Sequence, residues 1–541
     1  MKEQILFIIP PHGAYDTYTP KGPGQKKYFL TPPYGALSIL SYISKGKDRE
    51  GIIFDCNKFI LGYAEEGDLE AQTINAIEMA ILMVQPRYIC ISALFNTSFP
   101  HMKMTGYFKE HYPEIVICVG GGLATNLYKE LLEEFPAIDA ICFGEGEIPM
   151  KKLLESDTPV KDLHKLSLAW VTRDSLAEGV SPKHNMVYDL DEIPLIDFSY
   201  IEIEKYNGRS YIDKDSSKGK VEVSIHTSRG CPFNCVFCAN GRLHGKKVRM
   251  MTVERVIETI RHYKEEYGMT ILIVEDDHFL NNKERALAIL KYAEENDITV
   301  EFPNGVAVYR IDRDIAKALA DAKVKVVVLA IESGSDYVLK ELIDKPLRTK
   351  KIKEAVEILR EFNIRIHVFV VIGLPGEMDE HRTETLDFLV HLDIDWAYIF
   401  IATPIVGSRL YTICKENGYL IDDKYDNHVV SKCNIRAPGV DPKEIEEYAY
   451  YMNTIVNFIF NSNVLNERFD VAREYFQNVV KSYPTQAIAY YMLSKIAEDK
   501  EAKGSYHYLY LKHYDNHIGV YKDSRFWKKL ISNILCKEKH E

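Results

Sequence analysis

Three cysteines stand close enough along this chain to share one inorganic centre. They are Cys231, Cys235 and Cys238, within Arg229-Gly230-Cys231-Pro232-Phe233-Asn234-Cys235-Val236-Phe237-Cys238. The C-x3-C-x2-C spacing puts three thiolates on one short loop. Three thiolates can hold three irons of a [4Fe–4S] cube and leave the fourth iron without a protein ligand. An open iron is a place for a small molecule to bind, so such a loop is a site for chemistry rather than a staple. A zinc ion would want a fourth Cys or His nearby, and His244 stands a little further along the chain.

The elements around this loop have a clear rhythm. From Val221 to about Ile405, short apolar runs alternate with helical stretches. The expected strands are Val221–Ser228, Ile271–Val274, Val300–Val306, Val324–Ala330, Ile366–Ile372 and Ala397–Ile401. The helices between them are Val253–Glu266, Lys283–Asn296, Asp314–Ala322, Thr349–Phe362 and Glu380–Leu392. Six βα units in order predict a full or partial parallel barrel, with the three cysteines after its first strand, on the face where barrel sites lie.

Residues 1–155 carry a second βα pattern. Ile5–Ile9, Ile52–Asp55, Tyr88–Ser92, Ile115–Val119 and Ala140–Phe143 are runs with little polar alternation, as in parallel strands buried on both faces. Helices are expected at Leu69–Val84, capped by Asp68, and at Leu127–Glu134. The pattern predicts a doubly wound sheet, whose ligands bind at the carboxyl ends of the strands. Glycines gather there: Ser92 leads into Ala93-Leu94-Phe95-Asn96, Val119 into Gly120-Gly121-Gly122, and Phe143 into Gly144-Glu145-Gly146-Glu147. Bare backbone permits close approach of a flat or phosphorylated ligand. The stretch 12–35, ending in Thr31-Pro32-Pro33-Tyr34-Gly35, is an irregular insert of the kind that is more often functional than decorative. Residues 156–220 read as a linker, with a Ser-Ser-Lys-Gly turn. Residues 411–541 read as helical, with one tetratricopeptide-like unit at Ala472-x3-Phe476 and Pro484, and should cover the barrel mouth.

Composition excludes some classes. Of 541 residues, 46% are hydrophobic and 27% charged, as in ordinary globular domains, and the net charge of −12 argues against a nucleic-acid-coating protein. Ile5–Ile9 stops at Pro10-Pro11, too short for a signal-peptide core, and no run of about 18 apolar residues predicts a membrane span. Ten cysteines in so long a chain make no disulfide framework, so a reducing, cytoplasmic location is expected. Cys56, Cys90, Cys118 and Cys142, on or beside strands, read as small buried hydrophobes rather than as a second cluster.

The cysteine loop and the strand order resemble the radical S-adenosylmethionine (SAM) superfamily. The Thr31–Gly35, Gly120–Gly122 and Gly144–Glu147 words are similar to the branch with an N-terminal cobalamin-binding domain. The resemblance implies an α/β architecture: a Rossmann-like cobalamin-binding-type domain (1–155), the linker, a partial (βα)6 TIM barrel (221–410) and the helical region. It implies that Cys231, Cys235 and Cys238 hold a [4Fe–4S] cluster whose open iron binds SAM. Reduction of SAM then yields a 5′-deoxyadenosyl radical, at the expense of an external electron donor.

Position by position, Phe237 resembles the aromatic residue near the adenine. Glu275, Asp276 and Asp277 sit where the family places the acceptor for the methionine ammonium. Glu332 and Ser333 resemble the ribose-holding segment, and Gly373 and Pro375 the turn against adenine. Thr31, Tyr34, Gly35, Ser92, Gly120, Gly121, Gly122, Gly144, Glu145 and Gly146 become candidate cobalamin contacts. The Asp-x-His-x-x-Gly loop that supplies a lower cobalt ligand in many such domains does not occur in 1–155, where His12 and His101 lack that setting. The implied activity is methylation, or a related modification, of an unactivated carbon in a small-molecule or peptide substrate. Rival readings are a cobalamin-independent radical cyclase, rearrangement or oxidation enzyme, and a metal-binding scaffold with a helical interaction surface.

Overall fold

The computed structural model describes residues 5–15, 30–45, 51–65, 67–94, 96–206, 220–422, 425 and 432–535. Residues 16–29 of the insert, Phe95 and the Ser216–Gly219 turn lie outside the described residues.

The first runs of Ile and Val form parallel strands: β1 (Ile5–Ile9), β2 (Gly51–Asp55), β3 (Tyr88–Ser92), β4 (Val116–Gly120) and β5 (Ala140–Cys142). Every residue of β1 is buried, because helices cover both faces of the sheet. Each such Ile contributes about 1.5–3 kcal/mol relative to leaving it exposed. Helix Leu69–Val84 begins where Asp68 accepts a hydrogen bond from the Ala71 backbone N–H at 3.0 Å. The sheet order is β2-β1-β3-β4-β5-β6, and β6 (Trp170–Val171) runs antiparallel to β5.

β6 corrects the reading of residues 156–220 as a linker. The earlier part of that stretch completes the first sheet, with Trp170 in its core. The later part supplies Val187, Leu190, Ile193, Ile196 and Phe198 to the core of the barrel. A two-residue strand and single apolar anchors leave no periodicity to read in the sequence.

The barrel follows: β7 (Glu222–Ile225), a hairpin of β8 (Ser228–Arg229) and β9 (Arg249–Met250), β10 (Ile271–Val274), β11 (Thr299–Glu301), β12 (Val326–Glu332), β13 (Arg365–Ile372) and β14 (Trp396–Ile401). The parallel sets β11-β10-β7 and β12-β13-β14 are joined by a bridge between Val306 and Leu329, which gives six parallel strands in an open barrel. The third strand is shorter than expected. Pro303, with no N–H to donate, and Gly305, at φ +80°, interrupt it before Val306 pairs. The fourth strand is shifted. Lys323, at φ +56°, closes the preceding helix, so the strand starts at Val326 and runs past a bulge to Glu332.

The C-terminal helices Phe469–Ser482, Ala487–Ile496, Lys500–His517 and Trp527–Asn533 share a core around Phe476, Tyr510 and Trp527. The region 411–541 was expected over the barrel mouth, and part of it lies there: Ile445 of helix Pro442–Thr454 packs on Gly373 after β13, Pro438 O accepts the Gly376 N–H at 2.9 Å, and Arg525 reaches Asp379 at 2.9 Å. The helices from Phe469 on also bond to the start of the last two strands. Glu474 accepts two hydrogen bonds from Arg365, the Tyr475 hydroxyl meets His367 Nε2 at 2.7 Å, and Tyr475 stacks on Trp396. Just before these helices, Asn457 bonds both the N–H and the C=O of Ala397 in β14 at 2.7 Å.

Candidate active site

The cysteine loop is held at three points. Gly230, at φ +96°, turns the chain out of β8, and a Cβ there would stand 2.6 Å from the Lys247 carbonyl oxygen. Only glycine fits immediately before Cys231. Val236, buried, is tied on both sides: its N–H donates to Ile343 O and its carbonyl accepts from Leu410 N–H, each at 2.8 Å. Cys235 and Phe237 lean on the barrel core, while Cys238 is exposed. Burial pushes the Cys235 thiol up to about 12.

A cation offsets that trend. Lys345 donates to Glu332 Oε1 at 2.8 Å and to Ala330 O at 2.6 Å, and its charge favours the thiolates of Cys231 and Cys235. Glu332 takes φ +65° at the end of β12, which turns its carboxylate toward this lysine. Lys345 was not foreseen; it lies beyond the end of β12, between Asp344 and Pro346.

The carboxylates at the end of β10 divide by role. Asp276 is a strut: it accepts hydrogen bonds from Thr227 N–H at 2.5 Å, Thr227 Oγ1 at 2.6 Å and Ser228 Oγ at 2.7 Å, and so locks β10 to the strand that enters the cysteine loop. That corrects its expected place at the SAM ammonium. Asp277 accepts from Asn240 Nδ2 at 2.6 Å and lies close enough to Cys231 and Cys238 to raise both thiols. Glu275 accepts from Ser224 Oγ at 3.2 Å. Ser333 is also corrected from a ribose contact. Its hydroxyl meets Thr385 Oγ1 at 2.9 Å and receives the Ser335 N–H, so it fastens the strand end to helix Asp379–Val390. The Gly373–Pro375 turn is pinned by Glu377, whose Oε2 accepts Gly373 N–H at 2.5 Å and Leu374 N–H at 3.2 Å. Burial pushes Glu377 up to about 7.

At the carboxyl edge of the first sheet, Ser92, Gly120, Gly121 and Gly122 are half-buried. Gly121, at φ +96°, passes so close to Ala93 that a Cβ would stand 2.6 Å from its carbonyl oxygen. The next loop differs from expectation. Gly144, Glu145 and Gly146 are all buried. Gly144 packs on His184 and Gly146 on Ile39. Glu145 accepts from Arg229 Nη1 at 3.1 Å and from both terminal nitrogens of Arg249, and its Oε1 meets His244 Nδ1 at 2.8 Å. Beside it, Glu147 accepts from Arg229 Nη2 at 2.9 Å and Ser38 Oγ at 2.6 Å.

Burial alone would raise Glu145, but Arg229 together with hydrogen bonds from His244 and Arg249 holds its carboxyl well below the usual range. Glu145 is therefore part of the seam between sheet and barrel rather than a surface for a ligand. Tyr34 joins that seam: its ring meets the His226 ring edge-on at 4.6 Å, and its hydroxyl accepts from His226 N–H at 3.4 Å. Thr31 lies just before the helix that Tyr34 begins, and Gly35 is exposed. His244, weighed as a fourth zinc ligand, is tied to the same seam through its Nδ1. Both first-domain histidines that were weighed lie near the carboxyl end of β1. His101 Nε2 meets Gly13 O at 2.9 Å, and burial lowers the pKa of His12.

Two family models match this chain: the radical SAM superfamily over residues 225–389 and the B12 binding domain over residues 32–154. The chain belongs to the radical SAM superfamily, in the branch with an N-terminal B12-binding domain. It is 29% identical over 373 residues to cytidylyl-2-hydroxyethylphosphonate methyltransferase of Streptomyces wedmorensis, covering 64% of this chain and 70% of that protein. It is 27% identical over 420 residues to the anaerobic magnesium-protoporphyrin IX monomethyl ester cyclase of Synechocystis, covering 76% and 77%. Its fold is similar to that of the cobalamin-dependent SAM radical enzyme OxsB, with a TM-score of 0.63 at 13% identity, over 99% of this chain and 75% of that one. This radical SAM enzyme therefore uses a [4Fe–4S] cluster, SAM and cobalamin, and draws on an external electron donor. Among the described residues, no helix is long and apolar enough to cross a membrane.

Proposed function

We propose that this radical SAM enzyme methylates an unactivated carbon of a small-molecule or peptide substrate. The observation that carries the reading is the juxtaposition of the two edges: the glycine edge of the B12-type sheet adjoins the cysteine loop across the Glu145–Arg229–Arg249 seam. The residues suit the cofactors. Cys231, Cys235 and Cys238 offer three soft thiolates on a partly exposed loop, with Lys345 to balance anionic charge. Gly120–Gly122 leave backbone bare at a sheet edge. When bound, the cluster with SAM supplies hydrogen abstraction by a carbon radical, and cobalamin supplies a methyl carrier.

The chain's own residues position and shield. Glu275 and Asp277 present carboxylates at the end of β10, where an ammonium gains a charge-assisted hydrogen bond. Phe237 and the Gly373–Pro375 turn give apolar and backbone surface for an adenine. Glu332, fixed by Lys345, holds the end of β12 for a ribose. The acidic net charge supports a substrate other than nucleic acid.

Anaerobic reconstitution with hydroxocobalamin and SAM tests the reading. The visible spectrum of bound corrinoid and 5′-deoxyadenosine formed under reduction are the expected results, and a chain that binds no corrinoid at saturation would sink it. A cyclase reading draws on the cyclase relative. SAM carrying a deuterated methyl group separates the two: label in the product supports methylation, while an unlabelled, oxidised product supports cyclisation.

A further inference from the structure

The seam between the two domains contains more buried charge than adhesion requires. Arg229, Arg249, Glu145 and Glu147 are each no more than 6% exposed. Buried ion pairs are weak stabilisers compared with well-packed apolar side chains, so a four-charge node is poorly explained as glue. Its placement is specific. Arg229 and Arg249 pair in the β8–β9 hairpin, and Arg229 is separated from Cys231 by Gly230 alone. Glu145 leaves β5 on the loop whose Gly144 N–H donates to Thr125 Oγ1 at 3.0 Å. Thr125 lies on helix Gly122–Asn126, which the Gly120–Gly122 loop begins. The same helix packs on Asn240–Leu243, just past Cys238. A continuous hydrogen-bonded path therefore runs from the glycine edge of the first sheet, through Thr125, Gly144 and Glu145, to both sides of the cysteine loop.

We infer that Glu145 is a positioning residue that couples the two cofactor sites, so that filling the glycine edge of the first sheet changes the affinity of the cysteine loop for its SAM-bearing cluster, and the reverse. The inference rests on the reading that cobalamin binds at that edge. A displacement of the Gly120–Gly122 loop on binding moves helix Gly122–Asn126, and through Gly144 it moves the carboxylate that both arginines share. Because those arginines have no water to fall back on, they follow the carboxylate rather than exchange it for solvent. Linkage makes the effect reciprocal: the factor by which SAM changes corrinoid affinity equals the factor by which corrinoid changes SAM affinity.

The experiment measures the Kd of hydroxocobalamin for the cluster-loaded, unreduced enzyme, with and without SAM. In the natural chain, SAM shifts that Kd by a factor on the order of 5–150, the usual span of such coupling. In Glu145→Gln the factor falls to about 1, while iron content and the bound-corrinoid spectrum stay as they were. A factor unchanged in Glu145→Gln, or a factor of 1 in the natural chain, overturns the coupling. If the natural chain binds no corrinoid at all, the functional reading fails instead. Should Glu145→Gln not fold, hydrogen exchange on the natural holoenzyme decides: added hydroxocobalamin must slow exchange at 228–231 and 244–250, and unchanged rates there overturn the inference.

Discussion

The two carboxyl edges of this enzyme are made in opposite ways. The barrel edge is made of side chains: three thiols, the Lys345–Glu332 pair, and carboxylates at Glu275 and Asp277. The edge of the first sheet is made by leaving side chains out, with Ser92 and the Gly120–Gly122 turn at its strand ends. A centre that binds metal and splits a bond needs charge held in place, and each charge needs a partner once it is buried. A broad planar cofactor needs room and backbone. The difference teaches that damage should take different forms: loss of chemistry at the barrel edge, loss of affinity at the sheet edge.

The sharpest way to break the comparison is to replace Cys231, Cys235 and Cys238 by Ala. The cluster's visible absorbance and 5′-deoxyadenosine production are then abolished, whereas corrinoid binding measured without SAM stays within about twofold, since the first sheet keeps its own core. Iron retained after this change would show that the assignment of the thiols is wrong.

Lys345→Met comes next. It leaves the Glu332 carboxylate largely buried without its partner, at a cost of about 3 kcal/mol, read as a lower melting temperature of the apo chain. A melting temperature equal to that of the natural chain would show that Glu332 finds another partner.

Gly121→Val tests the opposite edge. Strain at φ +96° costs about 1–3 kcal/mol, and the added bulk lowers corrinoid affinity about tenfold, while iron content is untouched. Equal loss of iron and corrinoid would erase the distinction between the edges.

The smallest effect concerns pH. The Glu377 carboxyl, raised by burial to about 7, favours the folded state in its protonated form. Its contribution is complete below the ordinary value of 4.5 and is lost as pH rises through 7. Glu377→Gln cannot ionise, so the fall in melting temperature between pH 5 and 8 should be shallower in the variant than in the natural chain. Parallel profiles would show that the turn does not sense this proton.

Much of the frame was legible because it rests on local pattern. Leu69–Val84 has both its periodicity and its Asp68 cap in the sequence, and the strands of the first sheet read from unbroken Ile and Val. The cysteine loop was legible for the same reason, since all its thiols fall within one short stretch. The seam was not. Glu145 finds Arg229 and Arg249 from 84 and 104 residues away, and no local rule pairs them. Asp276 misled because a carboxylate at a strand end looks the same whether it faces a ligand or ties down Thr227. Lys345 was hidden by its type, for lysines are read as solvated until a structure shows one buried beside a carboxylate.

Asn457 has a consequence of a different kind. A barrel of six parallel strands that does not close leaves raw backbone at its rims, and β14 forms one of them. By engaging both the N–H and the C=O of Ala397, the Asn457 amide imitates one residue of a neighbouring strand. It occupies the very groups through which another chain would add itself to the sheet. The helices that follow Asn457 thus give the catalytic barrel a finished border, and the same barrel cut loose from them would present β14 as a template for self-association.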